Sequence, residues 1–196
     1  MERRRQWGLV VRRRRRCSRW WRERRLVMGS TLLRTLKHLF ILPGAVQRAF
    51  PAATLTRITE EIAASEQHHT GETRFAVEGA LPWSYLWKNL PARSRALMVF
   101  SKLRVWDTEA NNGVLIYVLL ADRSVDIVAD RGIATHVSQQ QWNAICHAMR
   151  AKFRAGDFGA GAIAGVQGVG ALLAEHFAAN AERDNPNEVS NAPTAI

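Results

Sequence analysis

The segment DTEANNG, residues 107 to 113, sets a dense run of oxygen-bearing side chains directly ahead of the most apolar stretch of the chain, GVLIYVLLA. Asp107, Glu109, Asn111 and Asn112 offer carboxylate and amide oxygens with no His or Cys among them, which is the donor chemistry of a hard divalent cation, Ca2+ or Mg2+. Asp107, Glu109 and Asn111 match the first, third and fifth positions of an EF-hand loop. The match stops there, because Asn112 stands where that loop needs Gly and Val118 where it needs a bidentate Glu. A competing reading is conformational: Asp107 and Thr108 cap turns, while Asn111, Asn112 and Gly113 supply left-handed backbone for a tight entry into a strand. On spacing alone the turn is favoured, since Asn-Gly is foremost a turn signal.

The elements around this segment decide what it can meet. GVLIYVLL is a continuous apolar run rich in branched and aromatic residues, the pattern of a central strand covered on both faces. SVDIVA, residues 124 to 129, follows across a tight ADRS turn as its antiparallel neighbour. With Ala121 and Ser124 flanking the turn, Gly132 faces Gly113, Arg131 faces Val114 and Asp130 faces Leu115. Asp107, Glu109, Asn111, Asn112, Asp130 and Arg131 are thereby expected at one end of the sheet, where α/β folds commonly seat ligands.

Residues 29 to 42 carry Leu32, Leu33, Leu36, Leu39 and Phe40 at helical spacing and end at Pro43 and Gly44, a short amphipathic helix within a lead-in over 28 to 50. A second helix runs from Pro51 to about His68. ETRFAVE, 72 to 78, alternates as a half-buried strand. A loop with Pro82 and two tryptophans, then a helix from Pro91 to about Arg104, lead to the polar segment. Ser138 with Gln141 is a capping-box signature ahead of a helix presenting Trp142, Ile145, Cys146, Met149 and Phe153 on one face. A small-residue helix over about 159 to 177 and a polar, extended tail from Ala179 complete the chain. The expected fold is a three-layer α/β/α sandwich around a small mixed sheet with an antiparallel hairpin, its domain spanning 51 to 178.

The formal charge of +11 is concentrated rather than spread. Residues 1 to 27 hold 12 Arg and no Lys against Glu2 and Glu23, a net of +10, leaving the other 169 residues nearly balanced. A blocked run of like charges repels itself and is expected to be a disordered tail. This arm could neutralise nucleic-acid phosphates, with Trp7, Trp20 and Trp21 stacking, or lie on an anionic membrane surface. The favoured reading is an upstream extension ahead of a start at Met28. Nucleic acid is not expected for the folded domain. Neither a signal peptide nor a membrane-spanning helix is expected, and Cys17 and Cys146 form no disulfide framework, so a reducing cytoplasm is the expected compartment.

GETRFAVE, then VFSKLRVWDTEANNGVLIYVLLADRSVDIVADRGI, then QQQWNAICHAMRAKFRAGDFGAGAIAGVQGVGALLAEHF occur in an order that resembles the TPM domain family, from about Leu55 to Phe177. That family includes thylakoid-lumen phosphatase-like proteins and bacterial relatives. The resemblance implies an α/β/α sandwich; some members are described as acid phosphatases and others bind calcium in loops at the sheet end. It carries over Asp107, Asn111, Asn112, Asp130 and Gly132. Val137 and Ser138 depart from the pattern, standing where relatives often have an acidic residue.

Other constellations carry less. No D-x-D, Cys-x5-Arg or Arg-His-Gly signature is present, so hydrolysis would rest on a carboxylate-held metal with Asp107 and Asp130 as ligands and Arg131 as an electrophilic clamp. Cys146 and His147 are helical neighbours pointing apart, and Cys146 is expected in the core. Glu66, His68, His69 and Glu72 lack recognisable zinc spacing. Gly161, Gly165 and Gly168 fall on one helical face and are expected to pack on the sheet rather than cradle a phosphate, so no organic cofactor is expected. The sequence therefore favours a divalent-cation-modulated interaction module acting on another protein, with a metal-assisted phosphatase, or nucleic-acid or membrane binding by the arm, as alternatives.

Overall fold

The computed structural model describes residues 31–179 and 188–196. The Arg-rich segment 1 to 27, Cys17 and the roles considered for them lie outside the described residues. Strands β1 (Thr73–Glu78), β2 (Val114–Leu119), β3 (Ser124–Ala129) and β4 (Thr194–Ala195) form one mixed sheet in the order β3-β2-β1-β4. β1 lies parallel to both β2 and β4, while β3 returns antiparallel to β2.

Alternation along β2 sorts the core into two layers. Val114, Ile116 and Val118 join a cluster with Phe75 and Val77 of β1 and with helices α3 (Ala52–Glu66), α7 (Gln139–Arg154) and α8 (Phe158–His176). Leu115, Tyr117 and Leu119 join a second cluster with α4 (Trp83–Trp87) and α5 (Ala92–Lys102). The chain is an α/β/α sandwich, as its pattern predicts. β1 departs from the half-buried expectation, since α5 covers its second face and places Arg95 over Glu78. The loop expected around Pro82 instead winds into α4, with Pro82 at its N-cap.

That second layer holds a buried ionic network. Arg95 grips Glu78 through Nε at 2.8 Å and Nη2 at 2.7 Å, and the Tyr117 hydroxyl donates to Glu78 Oε2 at 2.5 Å. Burial, with the adjacent Glu78 carboxylate, drives the Tyr117 phenol far above its ordinary range. On the outer edge of the sheet, the Ile127 carbonyl of β3 accepts from Arg93 Nη1.

The capping box at Ser138 and Gln141 forms as expected and starts α7. Cys146 is buried in the core, and burial pushes its thiol up. The glycines of α8 pack differently from expectation: a Cβ at Gly161 would lie 2.4 Å from Phe153, and one at Gly165 2.5 Å from Met149 Sδ. These residues let α8 approach α7, not the sheet. α8 is long and apolar enough to cross a membrane by length and composition, yet here it packs between α7 and α3 with Val166, Val169 and Leu173 fully buried.

Helix 31–39, here α1, is attached by its polar side. Arg34 donates to Asp122 Oδ2 from Nε at 3.0 Å and Nη2 at 2.8 Å, and Nη1 reaches the Leu90 carbonyl at 2.8 Å. His38, one turn on, is buried: Nδ1 accepts from the Leu81 N–H at 2.9 Å, which leaves Nε2 to carry the proton toward Asp122 Oδ1 at 3.0 Å. The short helices α2 (Ala45–Ala49) and α6 (Arg131–Ala134) complete the helical elements.

Candidate functional site

The β2–β3 hairpin brings the two polar segments together, in a register that differs from the expected one. Val114 pairs with Ala129 and the Asp130 N–H donates to the Gly113 carbonyl at 2.9 Å, so Asp130 faces Gly113 instead of Leu115. The cause is a wider reversal: the strands stop at Leu119 and Ser124, and Arg123 closes the loop with φ 51. A two-residue offset keeps every side chain on its expected face, so the juxtaposition survives. Gly132 N–H then donates to the Asn111 carbonyl at 2.8 Å.

Each predicted site residue has its own surroundings. Asp107 is exposed, with Arg104 Nη1 3.9 Å from its carboxylate. Thr108 is buried and its hydroxyl accepts the Asn112 N–H at 3.1 Å, closing the turn. Glu109 is exposed, and its backbone N–H donates to Glu188 at 3.0 Å. Asn111 adopts φ 52, the left-handed geometry expected of the turn, and its Oδ1 accepts from Arg131 Nη2 at 3.2 Å. Asn112 is buried and aims its amide inward at the Thr70 carbonyl, 3.0 Å away. Asp130 is 7% exposed; Oδ1 accepts the Arg131 N–H at 2.7 Å, and Oδ2 is buried with no hydrogen-bond partner among the described residues.

Gly113 and Gly132 serve space, not φ. A Cβ on Gly113 would fall 1.8 Å from the Val105 carbonyl oxygen, and one on Gly132 2.5 Å from that of Ala110. The loop, the strand end and α6 are thus pressed backbone to backbone. Among the described residues no group of three or more His, Cys, Asp or Glu converges. The five candidate metal ligands Asp107, Glu109, Asn111, Asn112 and Asp130 share a neighbourhood without forming a closed shell. The donor set fits a loosely held, largely hydrated hard cation, with Asp130 Oδ2 as its one buried anionic oxygen.

One neighbour of this surface escaped sequence reasoning. Residues 188 to 196, expected to be a polar extended tail, run back along β1. The Glu188 N–H donates to Glu72 at 3.1 Å, Asn191 Nδ2 to Glu66 at 2.7 Å, and Ile196 N–H to the Val77 carbonyl at 2.9 Å. The side chains considered as zinc ligands are engaged in this way: Glu66 and Glu72 hold backbone and tail, and His69 Nε2 sits 3.0 Å from Ser65 Oγ.

Burial, opposed by the Thr73 N–H, lifts the Glu66 carboxyl to about 7 from 4.5, and burial holds His69 down at about 4 from 6.5. The fold therefore binds more protons at Glu66 than the unfolded chain does between 4.5 and 7, so that contribution to stability falls as pH rises through this window. His69 acts in the opposite sense, gaining stability as pH rises from 4 to 6.5. In thermal melts, Glu66→Gln is expected to gain on the parent steadily as pH rises from about 4.5 to about 7. A gap that does not change with pH would refute the assignment.

The TPM domain profile matches residues 47–172. The chain belongs to the TPM domain family. Among solved structures, this TPM domain resembles the BA42 protein of the psychrophilic bacterium Bizionia argentinensis, with 28% identity and a TM-score of 0.66 over 75% of this chain and 95% of that one. It shares its fold with the N-terminal domain of a protein from P. gingivalis, with 20% identity and a TM-score of 0.53 over 66% of this chain and 81% of that one. No curated protein is significantly similar to the chain.

Proposed function

We propose that this TPM domain is a divalent-cation-modulated interaction module whose working surface is the 107–113 loop together with 130–132. The observation that carries the proposal is Asp130, a buried carboxylate with one oxygen held by the Arg131 N–H and the other without a hydrogen-bond partner among the described residues. A buried anionic oxygen without a donor is costly, and a cation reaching it from the loop surface removes that cost. Asn111 Oδ1 becomes a second ligand once Arg131 swings away, and Asp107 and Glu109 add charge from the rim. With so few carboxylates the affinity for Ca2+ is expected near 10⁻⁴ to 10⁻³ M, roughly that of extracellular low-charge sites. The partner is another protein, received by the exposed rim of Trp106, Glu109 and Arg131; Trp and Arg are the residue types that anchor interfaces.

Calorimetry and thermal melts with Ca2+ and Mg2+ test this reading. Saturating Ca2+ is expected to raise Tm by about 5–10 °C at a hundredfold excess over Kd, and Asp130→Asn to remove the rise. Absence of both heat and shift would eliminate the cation. The alternative, a metal-assisted phosphatase using Asp107, Asp130 and Arg131, requires turnover of a generic phosphomonoester that vanishes in Asp107→Ala and in Asp130→Ala. It draws less support, because Asp107 is exposed and turned to Arg104 while Asp130 caps α6.

A further inference from the structure

Helix α1 is turned the wrong way round for a soluble amphipathic helix. Its polar residues Arg34 and His38 face the protein and hold Asp122, while the leucine stripe faces out: Leu32 is 63% exposed, Leu33 57%, Leu39 69% and Phe40 73%. On a helix, positions 32, 36 and 39 lie opposite 34 and 38, so the Asp122 contacts themselves dictate that the stripe points outward. Leu42, just beyond the helix, is 67% exposed. A contiguous apolar surface of this kind marks a docking face.

Its surroundings are cationic. Lys37, Arg48 and Arg123 line a groove of about 580 Å³ between the α1–α2 connection and the hairpin loop, whose one carboxylate, Asp122, is already held by Arg34 and His38. The groove continues into a pocket of about 630 Å³ floored by Val118, Leu120, Phe153 and Phe158, with Arg150 and Arg154 at its rim and no carboxylate in its lining. Arg150 also faces Asp126; among the described residues, no ion pair engages Arg48, Arg123 or Arg154. Trp83 and Trp87, 61% and 78% exposed, project from α4, whose flanking residues Leu81 and Leu90 hydrogen-bond to His38 and Arg34.

We infer that α1 and the adjoining basic groove form a docking surface for an anionic lipid bilayer. Stable attachment to a membrane takes two signals, an inserted apolar face and a cluster of positive charge, and both occur here on neighbouring elements. The same charge disfavours the other occupants. Folding the Arg-rich segment onto α1 would set it beside Lys37, Arg48 and Arg123, and pairing with a second copy would oppose like-charged grooves. A nucleic acid would satisfy the cations but leave the leucine stripe in water. The inference is separate from the cation-modulated surface, which lies at the opposite end of β2.

The test is sedimentation of the full chain with vesicles of phosphatidylcholine, with and without phosphatidylserine. Binding is expected with phosphatidylserine present, weakening as salt rises, and falling at least about tenfold in Leu36→Ser/Leu39→Ser. Circular dichroism of that variant is expected to match the parent, since both side chains are exposed. Arg48→Ala/Arg123→Ala is expected to weaken binding several-fold and to flatten its salt dependence. Loss of binding to phosphatidylserine vesicles throughout, or equal binding by the leucine variant and the parent, would overturn the inference. So would a concentration-dependent dimer that dissociates in the leucine variant, since a second copy would then occupy the face.

Discussion

Glu78→Ala is expected to destabilise the domain by about 3–5 kcal/mol, enough to remove a large part of the stability of an ordinary domain. The loss comes less from the vanished attraction than from what stays behind. Arg95, anchored by two hydrogen bonds to Glu78 and stacked at 5.6 Å over the Tyr85 ring, would remain a partly buried cation with its counter-ion gone, and the Tyr117 hydroxyl would lose its acceptor in the core. The triple variant Glu78→Leu/Arg95→Met/Tyr117→Phe, which removes the pair and the hydroxyl that depends on it, is expected to recover most of the loss, since replacing every member of a buried ionic network with apolar side chains is commonly neutral or better. Urea denaturation of the two variants checks this. A single-variant loss under about 1 kcal/mol would mean that water reaches the pair and the network is a surface one.

The second large effect is expected at the strand mouth. Gly113→Ala drives a methyl group to 1.8 Å from the Val105 carbonyl oxygen, a backbone atom that cannot step aside as a side chain would. The variant is expected to lose at least about 3 kcal/mol or to fold with the 105–113 segment displaced. Gly156→Ala is the control. That position has φ 84 but nothing within 4 Å of an added methyl, so only the left-handed backbone is penalised, at about 1 kcal/mol. A loss at Gly113 no larger than that at Gly156 would show that the 105–113 segment yields to the added methyl.

The elements that sequence patterns recover well are those whose signal is local. SVDIVA is β3 to the residue, the Ser138 box starts α7, and the apolar run of β2 is buried along its whole length. The meeting of DTEANNG with Asp130 and Arg131 was legible too, because it requires only one hairpin; its register was not, because the reversal depends on Arg123 adopting a left-handed conformation that non-glycine residues rarely take. What escaped was decided by distant partners. Glu78 reads as the polar side of an alternating strand until α5 supplies Arg95. The sequence marks α1 as amphipathic without saying which face it buries; Arg34 and His38, by claiming the contact with Asp122, turn the leucines outward. Residues 188 to 196 read as a polar tail, and only the open side of β1 turns Thr194 and Ala195 into a strand. At the candidate site, the residue types pointed to a hard cation, but which oxygens are already engaged by Arg131, Thr70 or Arg104 is a three-dimensional fact.

The outer rim of β3 has a bearing on how the molecule behaves when crowded. An unpaired strand ordinarily offers its outward amides and carbonyls as a template on which a neighbouring chain can zip up, the first step toward fibrils. At the middle of this rim the Ile127 carbonyl is already occupied by the Arg93 guanidinium. A self-complementary strand arriving there finds the central acceptor already taken, which weakens the sheet's own edge as a template for polymerising.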